Sequence, residues 1–310
     1  MHKIDSIGNS EFAKKLSILA LVFFSCKILL AQADTSPFSY FKKEEYNAFI
    51  AESTTLANGS TQEKVVIDGF DSRVPFYYIK PEGNESSKSV ILLHGITQSK
   101  NSWVYPMTSL AEKYIKLKDS LLTLGYTVII PDAKYHGERS YEADFISPLQ
   151  LARNQDIQRS YNLFSTTVKD VRIIMDYIQI SHKNSTMGFS VIGYSMGGMM
   201  AIHLNAVDER LERVVACVAP LDMKSGWMLL GSKEENAAKL GSISPKHFAP
   251  LQKAPLTYLV ATNDNWYTKE EAQTFFEDIA VEDKVMIFYE SGHFLPADFV
   301  DDAIEGVVKE

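Results

Sequence analysis

The sequence predicts an α/β fold built on a doubly wound, mostly parallel sheet, and three observations carry that prediction. Short apolar runs alternate with amphipathic helical stretches along most of the chain. Central runs such as Val90-Ile91-Leu92-Leu93 and Val128-Ile129-Ile130 are apolar at every position, and a later run passes through a glycine-framed serine straight into a helix. An uninterrupted apolar run marks a strand covered on both faces, as in a parallel sheet with helices above and below it.

In chain order, the first thirty-odd residues differ from the rest. Lys14 and Lys15 precede the apolar run Leu16–Ser25, and Ala31-Gln32-Ala33 supplies small residues where a signal peptidase reads. That order resembles a secretory signal peptide, so residues 1–33 are expected to be removed and the mature protein to be secreted or periplasmic. The alternative is an N-terminal segment that stays attached as a membrane anchor. The uninterrupted run is about half the length of a spanning helix, so no stable membrane span is expected after processing. Cys26 would leave with the leader. Cys217, inside Val214–Val218, reads as a buried core thiol.

Residues 34–310 are expected to form one catalytic domain. Lys64–Asp68 and Val74–Ile79 flank the turn-forming Gly69-Phe70-Asp71-Ser72 and predict a β-hairpin. Ser89–Leu93 is the first buried strand, ending at His94-Gly95. Leu110, Tyr114, Leu117, Leu121 and Leu122 recur near the helical period, predicting a helix from about Thr108 to Leu124 that Gly125 stops. Thr127–Ile130 is the next strand, followed by a long polar loop and a helix around Ser165–Gln179. The strand Phe189–Ile192, a helix from Ser195 and the strand Arg213–Val218 come next. A variable stretch of about 223–251 reads as a small cap insertion, in which Trp227, Met228, Leu229 and Leu230 are expected mainly to pack, with the lining of an acyl pocket as the alternative. The strand Leu256–Val260, a helix from Lys269 and the strand Val285–Tyr289 complete the series.

The bulk composition narrows the function classes. The chain has 310 residues, 45% hydrophobic and 23% charged, enough for a substantial core. A net charge of −8, with no Lys/Arg cluster interleaved with aromatics, gives no footprint for nucleic acid. No phosphate loop or metal-ligand cluster is visible, so no metal and no organic cofactor are expected.

In such sheets, ligands bind beyond the carboxyl ends of the strands. After Phe189–Ile192 comes Gly193-Tyr194-Ser195-Met196-Gly197-Gly198, the G-x-S-x-G arrangement in its strand–turn–helix setting. A serine hydroxyl needs a base, and histidine has the right affinity for protons. Of seven histidines, His293 comes after the last strand and is the expected base. His2, His182, His203 and His247 are expected on the surface or in packing. Asp264, after the strand Leu256–Val260, is the expected carboxylate, with Asp222 as the alternative and helix capping as its other reading.

Gly193–Gly198, Leu93-His94-Gly95, Asp264 and His293 together resemble the α/β-hydrolase superfamily, in its order of nucleophile, acid and histidine. The similarity runs over about residues 64–310. It implies an oxyanion hole formed by the backbone N–H groups of Met196 and Ile96, with His94 supporting the loop. The stretch Asp132-Ala133-Lys134-Tyr135-His136-Gly137-Glu138-Arg139 is similar to that of the dienelactone hydrolase-like and prolyl-oligopeptidase-like branches. An ion pair between Glu138 and Arg139 is expected, or contact of Arg139 with an anionic substrate group; Arg139, Tyr194 and Trp266 are the candidate substrate-binding residues. The resemblance implies serine-esterase chemistry on a small-molecule acyl ester. Thioester or peptide cleavage, a haloperoxidase-like or lyase activity, and a non-catalytic binding role on the same fold remain alternatives.

Overall fold

In the computed structural model, residues 33–83, 88–183, 187–231 and 233–308 are described. The expected leader up to Gln32, with Cys26, lies outside them. The strands are β1 (Ala48–Thr55), β2 (Thr61–Asp68), β3 (Arg73–Lys80), β4 (Ser89–Leu93), β5 (Thr127–Pro131), β6 (Phe189–Tyr194), β7 (Leu211–Cys217), β8 (Leu256–Ala261) and β9 (Lys284–Tyr289). They form one sheet in the order β1-β2-β3-β5-β4-β6-β7-β8-β9. β1, β2, β3 and β5 pair antiparallel, and every pair from β5 through β4 to β9 is parallel.

Burial follows strand composition. Every residue of β4, β5, β6 and β8 is buried, whereas β1 at the sheet edge is mostly exposed. The expected hairpin is β2–β3, pairing from Thr61↔Lys80 to Asp68↔Arg73. β1, absent from the sequence reading, is an edge strand whose pairing slips between Ile50 and Glu52. An edge strand exposed on both faces, with a bulge, carries little hydrophobic periodicity.

The α-helices are α1 (Ser109–Thr123), α2 (Pro148–Arg153), α3 (Ile157–Ser181), α4 (Met196–Val207), α5 (Met223–Leu229), α6 (Glu234–Gly241), α7 (Lys269–Asp278) and α8 (Phe299–Val308). α1 packs with α8 and α3 with α4, while α4 and α8 both lie against β6 and β7. Those strands are thereby covered on both faces. α3 begins two turns before the expected Ser165, because the Asp156 side chain accepts the Arg159 N–H and caps an earlier start. The long polar loop likewise contains α2 and a 3-10 turn over Gly137–Ala143.

The chain runs from β4 to β5 on one side and returns to β6 on the other side of β4. This reversal is the switch point at which adjacent carboxyl ends open a crevice. Leu93 of β4 sits opposite Gly193 of β6. The residues just past these two strands, His94-Gly95-Ile96 and Ser195-Met196, are therefore brought together at one place.

Candidate active site

Ser195 stands between β6 and α4 with φ 54° and ψ −115°, a backbone conformation costly for a residue with a side chain. Its neighbours explain how the turn closes. A Cβ on Gly193 would come within 2.0 Å of the Gly197 carbonyl oxygen, and one on Gly197 within 2.2 Å of the Leu93 carbonyl oxygen. Only glycine permits β6, α4 and β4 to approach this closely. The Ser195 N–H donates to the Cys217 carbonyl at 2.8 Å, pinning the turn to β7.

His293, on the loop after β9, places Nε2 2.8 Å from Ser195 Oγ. Its Nδ1 lies 2.7 Å from Asp264 Oδ2. The Asp264 side chain is fully buried, and its Oδ1 accepts the Trp266 N–H at 2.9 Å. An anion in that position requires Nδ1 to carry the proton, which leaves Nε2 free to accept from the serine hydroxyl. Asp222, the alternative acid, instead caps α5 by accepting from Lys224 and Ser225 N–H and pairs with Lys246 Nζ at 2.7 Å.

The two expected backbone donors, Ile96 and Met196, lie just past β4 and β6, which pair at Leu93 and Gly193. Met196 opens α4, so its N–H has no acceptor within the helix. Ile96, Ser195 and Met196 line one pocket. The Gly95 carbonyl accepts from Gln98 N–H at 3.1 Å and faces His94 Nδ1 at 2.9 Å, and in a trans peptide the following N–H points the opposite way. His94 Nε2 accepts the Ala133 N–H at 3.1 Å, which assigns the proton to Nδ1. Burial holds this imidazole neutral, with its pKa pushed down to about 3. The support expected of His94 is thus a pair of specific bonds.

A model described as "Serine hydrolase (FSH1)" matches residues 84–301. The chain belongs to the FSH1 serine hydrolase family. No curated protein matches this hydrolase in sequence. Among solved structures it is similar to a cold-adapted esterase from an Arctic intertidal metagenomic library, with a TM-score of 0.62 and 18% identity over 85% of this chain and 99% of that one. It is also similar to acetyl xylan esterase 1 from Thermoanaerobacterium sp. JW/SL YS485, with a TM-score of 0.63 and 18% identity over 85% and 87% of the two chains. The acetyl xylan esterase from Paenibacillus sp. R4 gives a TM-score of 0.64 and 16% identity over the same shares, 85% and 87%. At these identities the likeness establishes the α/β-hydrolase fold.

Two residues expected at the substrate lie elsewhere in the hydrolase. Arg139 is fully buried, with Nε 2.8 Å from Glu142 Oε1 and Nη1 2.8 Å from Asp170 Oδ2. Its guanidinium is already satisfied and sealed from any ligand, so it is a core ion pair. Its partner is not Glu138. In a 3-10 turn residues i and i+3 share a face, which brings Glu142 to Arg139 and leaves Glu138 to Lys100. Tyr194 is also buried; its hydroxyl donates to the His293 carbonyl at 2.9 Å and accepts the Leu295 N–H at 2.9 Å. It clamps the histidine loop instead of meeting substrate. Trp266 does line the pocket beside Ser195.

Other positions acquire roles that sequence reasoning missed. Lys100, fully buried, bonds Asp132 Oδ2 at 2.7 Å and Glu138 Oε1 at 2.5 Å, tying the loop after β4 to the loop after β5. Nothing in the polar run Gln98-Ser99-Lys100-Asn101 signals a buried lysine. His136 Nε2 lies 2.8 Å from the Ile96 carbonyl and Nδ1 2.9 Å from the Lys134 carbonyl. The Asp132…His136-Gly137 spacing was the available signal. The cap stretch contributes to the pocket as well as to packing: Met223, Trp227 and Leu230 line it, whereas Met228 and Leu229, expected to pack, are exposed.

Proposed function

We propose that this hydrolase cleaves a carboxylic ester by two-step acyl transfer, with Ser195 as nucleophile, His293 as general base and acid, and Asp264 as the carboxylate that orients and stabilises the imidazolium. The continuous hydrogen-bonded line from Ser195 Oγ through His293 to Asp264, at 2.8 Å and 2.7 Å, carries this reading. Ser195 Oγ attacks the carbonyl carbon as its proton passes to His293 Nε2. The oxyanion forms in front of the Met196 and Ile96 N–H groups, each worth about 3 kcal/mol in the transition state. Collapse expels the alkoxide, which takes the proton from His293. Water then adds by the same steps in reverse roles, releasing the acid and regenerating Ser195.

The ester is preferred to a thioester or peptide because the structures this chain resembles include esterases. Trp266, on the pocket wall beside Ser195, is proposed as a substrate contact. We further propose that the leader is cleaved after Ala33 on export, which peptide mass spectrometry of the secreted protein checks by finding Asp34 as the first residue. An intact Met1 would overturn it.

The test of the catalytic assignment is labelling with a fluorophosphonate. One adduct is expected, on Ser195, absent from Ser195→Ala, together with p-nitrophenyl ester hydrolysis that the variant loses by about 10⁴-fold or more. Folded protein that takes no label and cleaves no ester would move the reading to a binding protein on a hydrolase fold.

A further inference from the structure

We infer that the acyl half of the substrate is short and uncharged, with two to four carbons, and that the walls from α2, α3 and α5 set this limit. The inference rests on the ester-hydrolase reading and extends it. The lining of the pocket beside Ser195 decides which half of the ester enters it. Its lining includes Ser195 and both candidate oxyanion donors, Met196 and Ile96, but His293 is not part of it. The leaving oxygen has to lie within reach of His293 Nε2 to be protonated, and the deacylating water has to approach from there too. The alcohol therefore points to the histidine side, and the pocket receives the acyl chain.

The room available sets the length. The pocket holds about 40 Å³. A single buried water occupies about 10–15 Å³, so a space this narrow takes a few atoms and not a long chain. With the carbonyl carbon bound at Ser195, about three further carbons can be placed, which spans acetyl to butyryl. Two of the pocket's walls are buried aromatic side chains. Phe164 on α3 is fully buried and meets Trp227 on α5 edge-to-face at 5.7 Å. Leu149 on α2 lines another side and is only partly buried.

The lining also decides charge. Among the described residues, Asp222 is its one ionic side chain, and that carboxylate already binds Lys246 and the first N–H groups of α5. With Arg139 sealed in the core, no cation among the lining residues receives an anionic acyl tail. Such a tail would lose its hydration next to a carboxylate.

The experiment is a p-nitrophenyl ester series from acetate to dodecanoate, corrected for spontaneous hydrolysis, with p-nitrophenyl hemisuccinate as the charged analogue of butyrate. kcat/KM is expected to peak between acetate and butyrate, to be at least tenfold lower for octanoate, and at least tenfold lower for the hemisuccinate than for butyrate. Trp227→Ala is expected to raise octanoate relative to acetate at least tenfold. Leu149→Ala, at a partly exposed site that tolerates truncation, is expected to shift the profile the same way if the Trp227 variant fails to fold. An optimum at octanoate or longer in the native protein would overturn the inference while leaving the esterase reading intact, as would folded variants with unchanged profiles or efficient hemisuccinate cleavage. Absence of hydrolysis at every length, or activity surviving in Ser195→Ala, would instead overturn the esterase reading itself.

Discussion

At the residue scale, the site depends on single atoms held by partners far away in sequence. The peptide groups on either side of Ile96 are each held by a buried imidazole, the Gly95 carbonyl by His94 and the Ile96 carbonyl by His136. A neutral imidazole donates only once, so His136 satisfies either the Ile96 or the Lys134 carbonyl at a given moment. Burial pushes its pKa down, which favours that neutral form. His136 is thus a positioning residue for the Ile96 N–H and touches no substrate. His136→Ala is expected to lower kcat by up to about 10²-fold with little change in KM, since displacement by a fraction of an ångström weakens the transition state more than the ground state. His136→Gln keeps a donor near the Ile96 carbonyl and is expected to recover part of kcat. A loss confined to KM, or no recovery with glutamine, would count against the assignment.

At the scale of elements, the loops after β4 and β5 behave as one buttressed unit. Asp132 sits at its centre, accepting from Lys100 N–H at 2.9 Å, from Lys100 Nζ at 2.7 Å and from Glu138 N–H at 3.0 Å. Gly137 makes this possible. Its φ is +54°, and a Cβ there would lie 2.3 Å from Asp132 Oδ1. The spacing Asp132-x-x-x-x-Gly137 is therefore a steric requirement of one carboxylate bridging two loops. Gly137→Ala combines left-handed strain with a broken buried ion pair, so a loss of about 2 kcal/mol or more is expected in urea unfolding. A midpoint equal to that of the native protein would show that the carboxylate moves aside freely.

At the scale of the whole molecule, buried histidines make stability depend on pH. His94 and His203 are fully buried as neutral rings, with pKa values pushed by burial from 6.5 to about 3 and about 4. The unfolded chain takes up protons at these residues below about pH 6.5, whereas the folded chain does so only near pH 4 and 3. Between those limits the unfolded state binds more protons, so stability rises with pH. The contribution is full above about pH 6.5 and is lost progressively as pH falls towards 4 and then 3. His136, shifted in the same direction, adds to the trend. Urea midpoints are expected to drop steadily from about pH 7 to about pH 4.5; a flat profile over that window would mean that other groups offset the histidines.

Much of the plan was legible in the residues alone, because the signals behind it are local. Apolar runs such as Ser89–Leu93 and Leu256–Val260 announce strands buried on both faces, and Gly193-Tyr194-Ser195-Met196-Gly197 announces a turn that only glycines allow. Ser195, Asp264 and His293 each come after a strand of a parallel sheet, so their positions along the chain already placed them at one edge. β1 and α8 went unread: the first is a solvated edge strand, and the second is a short helix whose Gly306 lies against Thr257 and Val215. Tertiary structure alone decided which charges meet. Arg139 and Asp170 are far apart in sequence, and only packing reveals that the guanidinium is consumed in the core and cannot greet a substrate. The same holds for Lys100, for the Tyr194 hydroxyl on the histidine loop, and for the pocket that Leu149, Phe164 and Trp227 line from three helices. Periodicity and turn chemistry report what a segment does with its own backbone; partner choice and cavity size depend on distances between segments, which exist only once the chain has folded.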